Sequence, residues 1–467
     1  MELPYDIFNK QSIIEFAKKL KSSTLKKSCN KTILSHEYSG KGSFGQILEK
    51  FYFLYAPNSN AEADFPEVNL ELKSSPLKQL KNNQFRAKER LSLNIINYQD
   101  IVHQNFETSS FWKKNENLLL VFYLYENDTN VLDYVIKLVD EWTFPSIDLE
   151  IIKQDWKRIK QKVLDGKAHE LSEGDTFYLG AAPKGGKGGN PREQPNSTLT
   201  AKQRAYSLKQ GYVNHIIASI SGNSSVYGKL IQSTEITKDK TLEEIVVSKF
   251  ESYYDKTIED ILAMLNINLN LKAKNFYANL TKAILGIELN KEIEEFEKAE
   301  IIVKTIRLKD NNLPKEDISF PNFKYENIVN ETWDESEISN ILGHKFLFVF
   351  FQFENKKLIF KKAQFWNMPY KDILEVEKVW ARTKEIVQSG DIVKDIKTNK
   401  SGNKIRYTNF PNKKFNAVSH VRPHAINADD TISLPVRDKL THLKEYTKHC
   451  FWLNASYVKN EIYLKSL

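Results

Sequence analysis

Residues 64–73 read DFPEVNLELK, and this stretch predicts a half-buried β-strand with one chemically active face. After Pro66 apolar and polar residues alternate, which is the period of a strand. The core face would carry Val68, Leu70 and Leu72, and the opposite face Asn69, Glu71 and Lys73. Asp64 stands before Pro66, which disfavours a helix and favours a bend that returns Asp64 to Glu71. The stretch therefore predicts two carboxylates beside one ammonium group.

The spacing D-x6-E-x-K is typical of metal-dependent phosphodiester hydrolysis. Hard cations such as Mg²⁺ need oxygen ligands and retain several waters, and a phosphodiester needs an activated water for in-line attack. We therefore expect Asp64, Glu71 and the carbonyl of Leu72 to hold the metal, and Lys73 to orient or deprotonate the water. The alternative is a solvated strand face, since such spacings also arise by chance in a chain that is 27% charged.

Composition limits the protein class. A chain of 467 residues with 41% hydrophobic residues predicts two or three globular domains. Its net charge of +8 favours a polyanionic partner. Cys29 and Cys450 are the only cysteines, so neither a disulfide framework nor a CxxC zinc site is expected, and a reducing cytoplasm fits. The apolar runs 118–125 and 346–353 are too short to span a bilayer and predict buried strands.

Periodicity predicts a mixture of helices and strands, and hence an α/β or α+β fold. Helices are expected at 11–20, from Ser43 with a Ser43/Gln46 capping box, and at 151–164 with Gly166 after its end. Further strands are expected at 91–98 and 118–125. Residues 180–200, rich in Gly, Pro and Lys, predict a mobile basic loop.

The second half of the chain repeats features of the first. Segment 206–217 (YSLKQGYVNHII) matches 451–462 (FWLNASYVKNEI), and the Trp156/Gly166 spacing recurs at Trp380/Gly390. In the second copy EFEKAEIIVK (295–304) lies where the first has DFPEVNLELK, and Ile302 takes the place of Glu71. Exchange of a carboxylate for isoleucine removes a metal ligand, so the second copy should fold but not cut. The predicted domains are 1–220, a linker 221–240, and 241–467.

These residues resemble a known family. The segments SGKGSFGQILE (39–49), KERLSLNIINY (88–98), NFETSSF (105–111) and AKQRAYSLKQGY (201–212) are similar to MutH-type endonucleases, and more closely to the two-domain, GATC-cutting type II restriction enzymes of that group. The resemblance implies tandem restriction-endonuclease-like domains, each with a mixed central sheet flanked by helices, the second copy being degenerate.

The resemblance also implies an activity. It is Mg²⁺-dependent hydrolysis of double-stranded DNA at 5'-GATC, on the 5' side of the G, which leaves 5' overhangs. Asp64, Glu71 and Lys73 match the family's catalytic trio, Glu49 its additional acidic residue, and Lys114 its second lysine. Glu49 would position water or metal, and Lys114 would hold a phosphate or support the leaving group electrostatically.

The family's recognition elements fall on two segments of the first copy. Here they comprise Lys184 after Pro183, followed by Arg204, Ser207 and Lys209. Ala182 stands where MutH has an arginine, so the implied GATC specificity depends on the restriction-enzyme likeness. In the second copy Arg422-Pro423-His424 is closer to the MutH loop, which implies that the inactive domain binds a second GATC site and acts as an allosteric effector.

Two other functions remain open at this point. One is a MutH-like mismatch-repair nickase awaiting a protein activator, and the other is a DNA-binding regulator that does not cut. For the leading function we expect a cytoplasmic protein, monomeric in solution, that engages two DNA sites at once. A cognate methyltransferase would act on the same site without needing to bind the enzyme. Sensitivity to adenine or cytosine methylation is left open.

Overall fold

The computed structural model describes residues 3–30, 32–33, 38, 42–56, 62–185, 190–222, 227–231, 240–398, 402 and 404–465. These residues form two compact units. Unit 1 comprises Met1–Glu244 and Gly286–Glu300, and unit 2 comprises Ile245–Leu285 and Ile301–Leu467. Each unit is therefore discontinuous along the chain, whereas the sequence predicted two continuous domains.

The described residues contain both helices and strands, as expected for a mixed α/β protein. The helices are α1 (Lys10–Lys18), α2 (Leu25–Ser28), α3 (Ser43–Ile47), α4 (Tyr98–Ile101), α5 (Ser110–Asn115), α6 (Ser146–Leu164), α7 (Gln210–Ile220), α8 (Leu242–Glu251), α9 (Ile258–Leu265), α10 (Phe276–Ile284), α11 (Glu294–Ala299), α12 (Tyr325–Asn330), α13 (Glu337–Leu342), α14 (Tyr370–Ser389) and α15 (Ala455–Tyr457). The strands are β1 (Glu71–Gln79), β2 (Phe85–Ala87), β3 (Leu91–Ile95), β4 (Asn117–Leu124), β5 (Ile136–Thr143), β6 (Leu179–Pro183), β7 (Pro191–Arg192), β8 (Ala201–Lys202), β9 (Arg204–Leu208), β10 (Tyr227–Gly228), β11 (Glu292–Ile293), β12 (Ile302–Leu308), β13 (Ile318–Asn322), β14 (Phe346–Glu354), β15 (Lys357–Trp366), β16 (Val393–Thr398), β17 (Lys404–Thr408), β18 (Ser419–Pro423), β19 (Thr431–Ser433), β20 (Glu445–Thr447) and β21 (His449–Leu453).

A mixed sheet forms the centre of unit 1. Its strand order is β2-β1-β4-β5, with β1 parallel to β4 and the other pairs antiparallel. The apolar run 118–125 accounts for almost all of β4, and every residue of that strand after Asn117 is buried, which confirms the predicted buried strand. A second sheet has the order β3-β9-β6. The parallel pairing places Glu71, the first residue of β1, opposite Leu118.

Residues 286–300 return to unit 1 through buried polar contacts. Lys298 Nζ lies 2.9 and 3.0 Å from the two carboxylate oxygens of Asp148 and 2.7 Å from Glu294 Oε1. The approach of α11 to α7 is so close that a Cβ on Gly211 would lie 1.9 Å from the carbonyl oxygen of Glu297. Only glycine fits there. This packing explains why the segment belongs to the first unit although it follows part of the second.

Unit 2 contains sheets of similar order. The order β12-β14-β15 combines a parallel pair with an antiparallel one, and β13-β21-β18 is antiparallel. Ile302, the first residue of β12, lies opposite Phe346, as Glu71 lies opposite Leu118 in unit 1. The run 346–353 is the buried strand β14, as predicted, although Phe353 at its end is exposed.

A buried tyrosine–aspartate hydrogen bond occurs in each unit. The Tyr212 hydroxyl donates to Asp148 Oδ2 at 3.0 Å, and the Tyr457 hydroxyl donates to Asp372 Oδ2 at 2.9 Å. Both aspartates lie in the first turn of a long helix, α6 or α14, that begins directly after a proline. The carboxylates therefore also face the positive end of each helix dipole.

Two local predictions require correction. The strand begins at Glu71 and not at Val68, because Pro66–Val68 form a 3₁₀ turn and Asn69 adopts a left-handed conformation with φ of 48°. The helix predicted from Ser43 exists as α3, but Gly42 is its N-cap and no side chain caps it, so the predicted capping box is wrong.

Other elements agree with the sequence. Helix α1 is capped by the Asn9 side chain, and the predicted helix 151–164 is the C-terminal part of α6, with Gly166 at φ of 69° beyond its end. Residues 180–200 are not all loop, because they include most of β6 and the whole of β7. No helix among the described residues is long and apolar enough to cross a membrane.

We predict that Tyr212→Phe and Tyr457→Phe each lower the free energy of unfolding by about 1–3 kcal/mol, because each leaves a buried carboxylate without one hydrogen bond. Thermal and urea unfolding of the full chain would measure the change. Tyr407→Phe, at a tyrosine that is 48% exposed, is the control and should be neutral. Equal stability of all three variants would contradict this role for the buried pairs.

Candidate active site

A tight turn brings Asp64 to the start of β1. The Asp64 amide N–H donates to Glu71 Oε2 at 3.0 Å, and the Leu72 amide N–H donates to Asp64 Oδ2 at 3.0 Å. Between them Phe65 and Leu70 form an antiparallel bridge, and the left-handed Asn69 closes the turn. The predicted bend thus exists, and it fixes both carboxylates by reciprocal bonds to main-chain amides.

Two lysines approach Glu71. Lys73 Nζ donates to Glu71 Oε1, and Lys114 Nζ lies 3.7 Å from the same oxygen. Lys114 is placed by the last turn of α5, which is capped by the buried Ser109 hydroxyl. The Glu71 side chain is only 1% exposed, so this charged group is enclosed by protein and its two cations.

Burial governs the protonation of Glu71. Desolvation raises its pKa to about 7, and the nearby Asp64 carboxylate adds to the increase, although Lys73 and Lys114 act in the opposite direction. A carboxyl with an ordinary pKa of 4.5 is thus balanced between its two forms near neutral pH.

Glu49 joins the same electrostatic group from the helix side. It lies in a π-helical turn, Leu48–Tyr52, that continues directly from α3. Single π-helical turns change the hydrogen-bond pattern of a helix locally, and they are frequent at functional sites. Burial raises the pKa of Glu49 to about 7, Asp64 contributes to the rise, and Lys73 and Lys114 oppose it.

Tyr55 belongs to this site and was missed by the sequence analysis. Its hydroxyl is buried and has no hydrogen-bond partner among the residues that the structure describes. Burial raises its pKa, and Asp64, Glu49 and Glu71 raise it further. The preceding Leu54 has a φ of 63°, a strained value for leucine that follows the π-helical turn. No sequence pattern marks such a backbone reversal.

The donor set fits a hard cation. Asp64 and Glu71 offer neighbouring carboxylate oxygens. The raised pKa of Glu71 indicates that the two nearby lysines do not fully offset the cost of burying its negative charge. No group of three His, Cys, Asp or Glu side chains is placed to hold a metal ion within the described part of the chain. Mg²⁺ does not require three such side chains, since it is commonly held by one or two carboxylates and keeps several waters.

The predicted recognition residues of unit 1 differ in exposure. Lys184 is exposed, with its Nζ 3.3 Å from Ser92 Oγ. Arg204 is largely buried and donates to the carbonyl of Ala181 at 2.7 Å. Ser207 is fully buried. Of this group, Lys184 is the one whose side chain reaches solvent freely.

Lys209 is also enclosed. Its side chain is 1% exposed, and Nζ donates to the carbonyls of Thr176 at 2.8 Å and Ala299 at 3.3 Å. Burial lowers its pKa. A DNA contact by Lys209 stays a prediction, and it would require the ammonium group to leave both carbonyls.

In unit 2 the predicted residues Arg422 and His424 surround Trp452. The Arg422 guanidinium lies 3.7 Å from the centre of the indole ring, and its Nη1 lies 3.1 Å from Asp317 Oδ2. The exposed His424 packs edge-on against the same ring, with centroids 5.3 Å apart. Asp317 also accepts from Lys413 and from the amide of Ala455. Burial acts to raise the pKa of Asp317, but these two bonds outweigh it and hold that pKa below the ordinary value. The arginine is therefore held in one orientation.

Comparison with known proteins identifies the family. A family model described as DNA mismatch repair enzyme MutH matches residues 53–155, which contain Asp64, Glu71, Lys73 and Lys114. The chain is also 36% identical over 455 residues to the type II restriction enzyme Sau3AI of Staphylococcus aureus, a match that covers 90% of this chain and 92% of that protein. The chain belongs to the family of type II restriction endonucleases that includes Sau3AI.

MutH proteins match a smaller part of this restriction endonuclease. MutH of Buchnera aphidicola subsp. Baizongia pistaciae is 24% identical over 132 residues, covering 28% of this chain and 59% of that MutH. MutH of Shewanella woodyi is 26% identical over 185 residues, covering 39% and 78%. The predicted family is confirmed. The first part of the motif 39–49 lies outside the described residues, since 39–41 are not among them.

We predict that Glu71→Gln stabilises the metal-free endonuclease above about pH 7, by up to about 3 kcal/mol. The folded-state pKa of about 7 exceeds the ordinary 4.5, so ionised Glu71 costs stability. That cost is complete above about pH 7 and disappears as the pH falls towards 4.5, because the folded protein then binds the proton first.

Thermal unfolding in a chelating buffer across this pH range would measure the difference. Glu67→Gln, at an exposed glutamate of the neighbouring 3₁₀ turn, is the control and should show no such pH dependence. A stabilisation by Glu71→Gln that did not change with pH would contradict the raised pKa.

Proposed function

We propose that this protein is a Mg²⁺-dependent type II restriction endonuclease that hydrolyses double-stranded DNA at 5'-GATC, on the 5' side of the G, to leave 5' overhangs. The convergence of Asp64, Glu71 and Lys73 on one turn carries the proposal. The similarity to a type II restriction enzyme over 90% of the chain supports it. The sequence specificity itself is inferred from the likeness to GATC-cutting enzymes described above.

The catalytic residues have separate roles in this proposal. Asp64, Glu71 and the Leu72 carbonyl would hold Mg²⁺, which when bound supplies positive charge for the phosphate and lowers the pKa of water. Lys73, whose Nζ contacts Glu71, orients the attacking water on the same face. Lys114 places a second cation beside Glu71, where it stabilises charge on the phosphate in the transition state.

Glu49 completes the set. With its pKa raised to about 7, the half-buried carboxyl of Glu49 can accept or release a proton near neutral pH. We therefore place it on the water from the helix side, opposite the strand that carries Glu71.

We further propose that the chain contains a duplicated domain whose second copy is inactive, with the catalytic copy in 1–220 and the second in 241–467. Four observations support this: the similar sheet orders, the equal register of Glu71 and Ile302, the left-handed residues Asn69 and Glu300 two positions before each, and the two tyrosine–aspartate bonds. Ile302 offers no metal ligand. Lys304, in the place of Lys73, is half-buried, and this loss of solvation lowers its pKa.

The second copy would act as an effector that binds another GATC site. Arg422 has the planar fork that reads guanine O6 and N7 in the major groove, and Asp317 and Trp452 hold it in place beforehand. Pre-ordering reduces the entropy lost on binding. In unit 1 the exposed Lys184 is the corresponding candidate for a base or phosphate contact.

Lys73→Ala should bind GATC-containing DNA and fail to cut it, because the substitution removes the group that positions water without changing the DNA-binding surface. Incubation of unmethylated GATC plasmid with Mg²⁺ would give linear fragments with the parent protein and intact plasmid with the variant. Lys113→Ala, at the lysine next to Lys114, is the control and should retain cleavage. Surviving cleavage by Lys73→Ala would refute the assigned chemistry.

The same plasmid assay separates the alternatives. Nicked circles from the parent protein would indicate a mismatch-repair type of nickase, and retarded but intact plasmid would indicate a regulator that does not cut. Chelation of divalent cations should abolish cleavage while leaving binding measurable.

Arg422→Ala should remove the stimulation of cleavage by a second GATC site, with little effect on a substrate that carries one site. Initial rates on one-site and two-site plasmids would measure this. Lys378→Ala, at an exposed lysine of α14 in the same unit, should behave as the parent. Unchanged two-site stimulation in Arg422→Ala would refute the effector role of this loop.

A further inference from the structure

The hairpin formed by β16 and β17 exposes side chains on both of its faces. Ile396, Ile405 and Tyr407 are 41%, 40% and 48% exposed, which is unusual for large apolar residues in paired strands. In register Ile396 lies opposite Arg406, and Lys397 lies opposite Ile405. Among the described residues β16 and β17 form a sheet of two strands, and Arg406 lies over the ring of Tyr446 in β20, 5.8 Å from its centre.

The charge of the hairpin is strongly positive. Residues 393–408 contain one acidic residue, Asp395, and a larger set of basic ones: Lys394, Lys397, Lys400, Lys404 and Arg406. Lys400 lies outside the described residues. Lys397 Nζ lies 5.4 Å from the centre of the Tyr407 ring and 3.5 Å from Asp395 Oδ2. Exposed cations and apolar groups thus alternate along the two strands.

The hairpin is a feature of unit 2. In unit 1 the connection from α6 to β6 contains only the short 3₁₀ turns Ala168–Glu170 and Glu173–Asp175. In unit 2 the corresponding connection, from α14 to β18, is longer and contains the hairpin. The unit with isoleucine in the place of the catalytic glutamate thus carries an additional basic element.

We propose that this hairpin is a DNA-binding ribbon of unit 2 that enters the major groove of duplex DNA. The inference rests on the proposed DNA binding by unit 2. The major groove admits a two-stranded β-ribbon, its thymine methyl groups accept apolar contacts, and lysines along the strands pair with phosphates. Duplex DNA is the partner that satisfies both the positive charge and the exposed apolar side chains.

A second copy of the chain is the competing partner, because β16 and β17 pair only with each other among the strands that the structure describes. Lysines on edge strands oppose pairing between copies, since they place like charges together. The density of lysine along β16 therefore favours DNA over self-association.

The test uses the full chain without divalent cations, so that DNA is bound but not cut. Binding of a fluorescent GATC duplex is measured at several salt concentrations. Lys397→Ala should weaken binding and reduce the slope of log K against log salt by about 0.9, the value for one phosphate contact. The double variant Ile405→Ala/Tyr407→Ala should weaken binding with little change in slope. Lys397→Arg should retain parental binding, and so should the α14 control Lys378→Ala.

Unchanged affinity and slope in Lys397→Ala, with unchanged affinity in the double variant, would overturn the proposal. Sedimentation of the free proteins tests the competing partner: a parental dimer that dissociates in the double variant while DNA affinity is unaltered would also overturn it. If the parent protein failed to cut GATC plasmid but the hairpin variants still lost DNA affinity, the proposed GATC cleavage would be refuted. The DNA-binding role of the hairpin would still be supported.

Discussion

The enclosure of one carboxylate at the start of a strand organises the candidate active site of unit 1. Glu71 is held by the parallel pairing of β1 with β4, by the amide of Asp64 and by the ammonium group of Lys73. Burial outweighs the attraction of two lysines, since the pKa of Glu71 is raised to about 7 and not lowered. The fold therefore maintains a charged group that opposes folding by up to about 3 kcal/mol. A divalent cation between Asp64 and Glu71 would relieve that cost.

The apolar framework makes this arrangement possible. β4 is buried from Leu118 to Leu124 and pairs with β1 along its length, and a slip of β1 by one residue would turn the Glu71 side chain to the opposite face of the sheet. At the equivalent register in unit 2, Ile302 follows the same parallel pairing next to the phenylalanine-rich β14. The same strand geometry thus accommodates either a carboxylate, whose burial costs folding free energy, or an aliphatic side chain, whose burial stabilises the fold. We propose catalysis in the unit that keeps the carboxylate.

The two units hold their polar groups in different places. In unit 1 the acids and lysines gather at the start of β1, whereas in unit 2 the organised group is Arg422 with Asp317 and Trp452. A cation–π contact and a charge-assisted hydrogen bond orient that guanidinium. These contacts are consistent with the proposed division, in which unit 1 cuts DNA and unit 2 recognises a further site.

The sequence by itself determined the elements with strong local patterns. The bend at Asp64, the apolar runs of β4 and β14 and most of the long helix α6 were predicted, because periodicity and proline restrict the backbone locally, whereas the alternation after Pro66 placed the start of β1 too early. The family likeness also located Glu49 and Lys114. The tertiary structure decided the features that depend on contacts between distant residues. Only packing shows that Lys209 is enclosed by the carbonyls of Thr176 and Ala299, that residues 286–300 return to unit 1, and that Tyr55 lies beside three carboxylates. Burial and long-range electrostatics arise from contacts between residues far apart in the chain, and no local pattern encodes them.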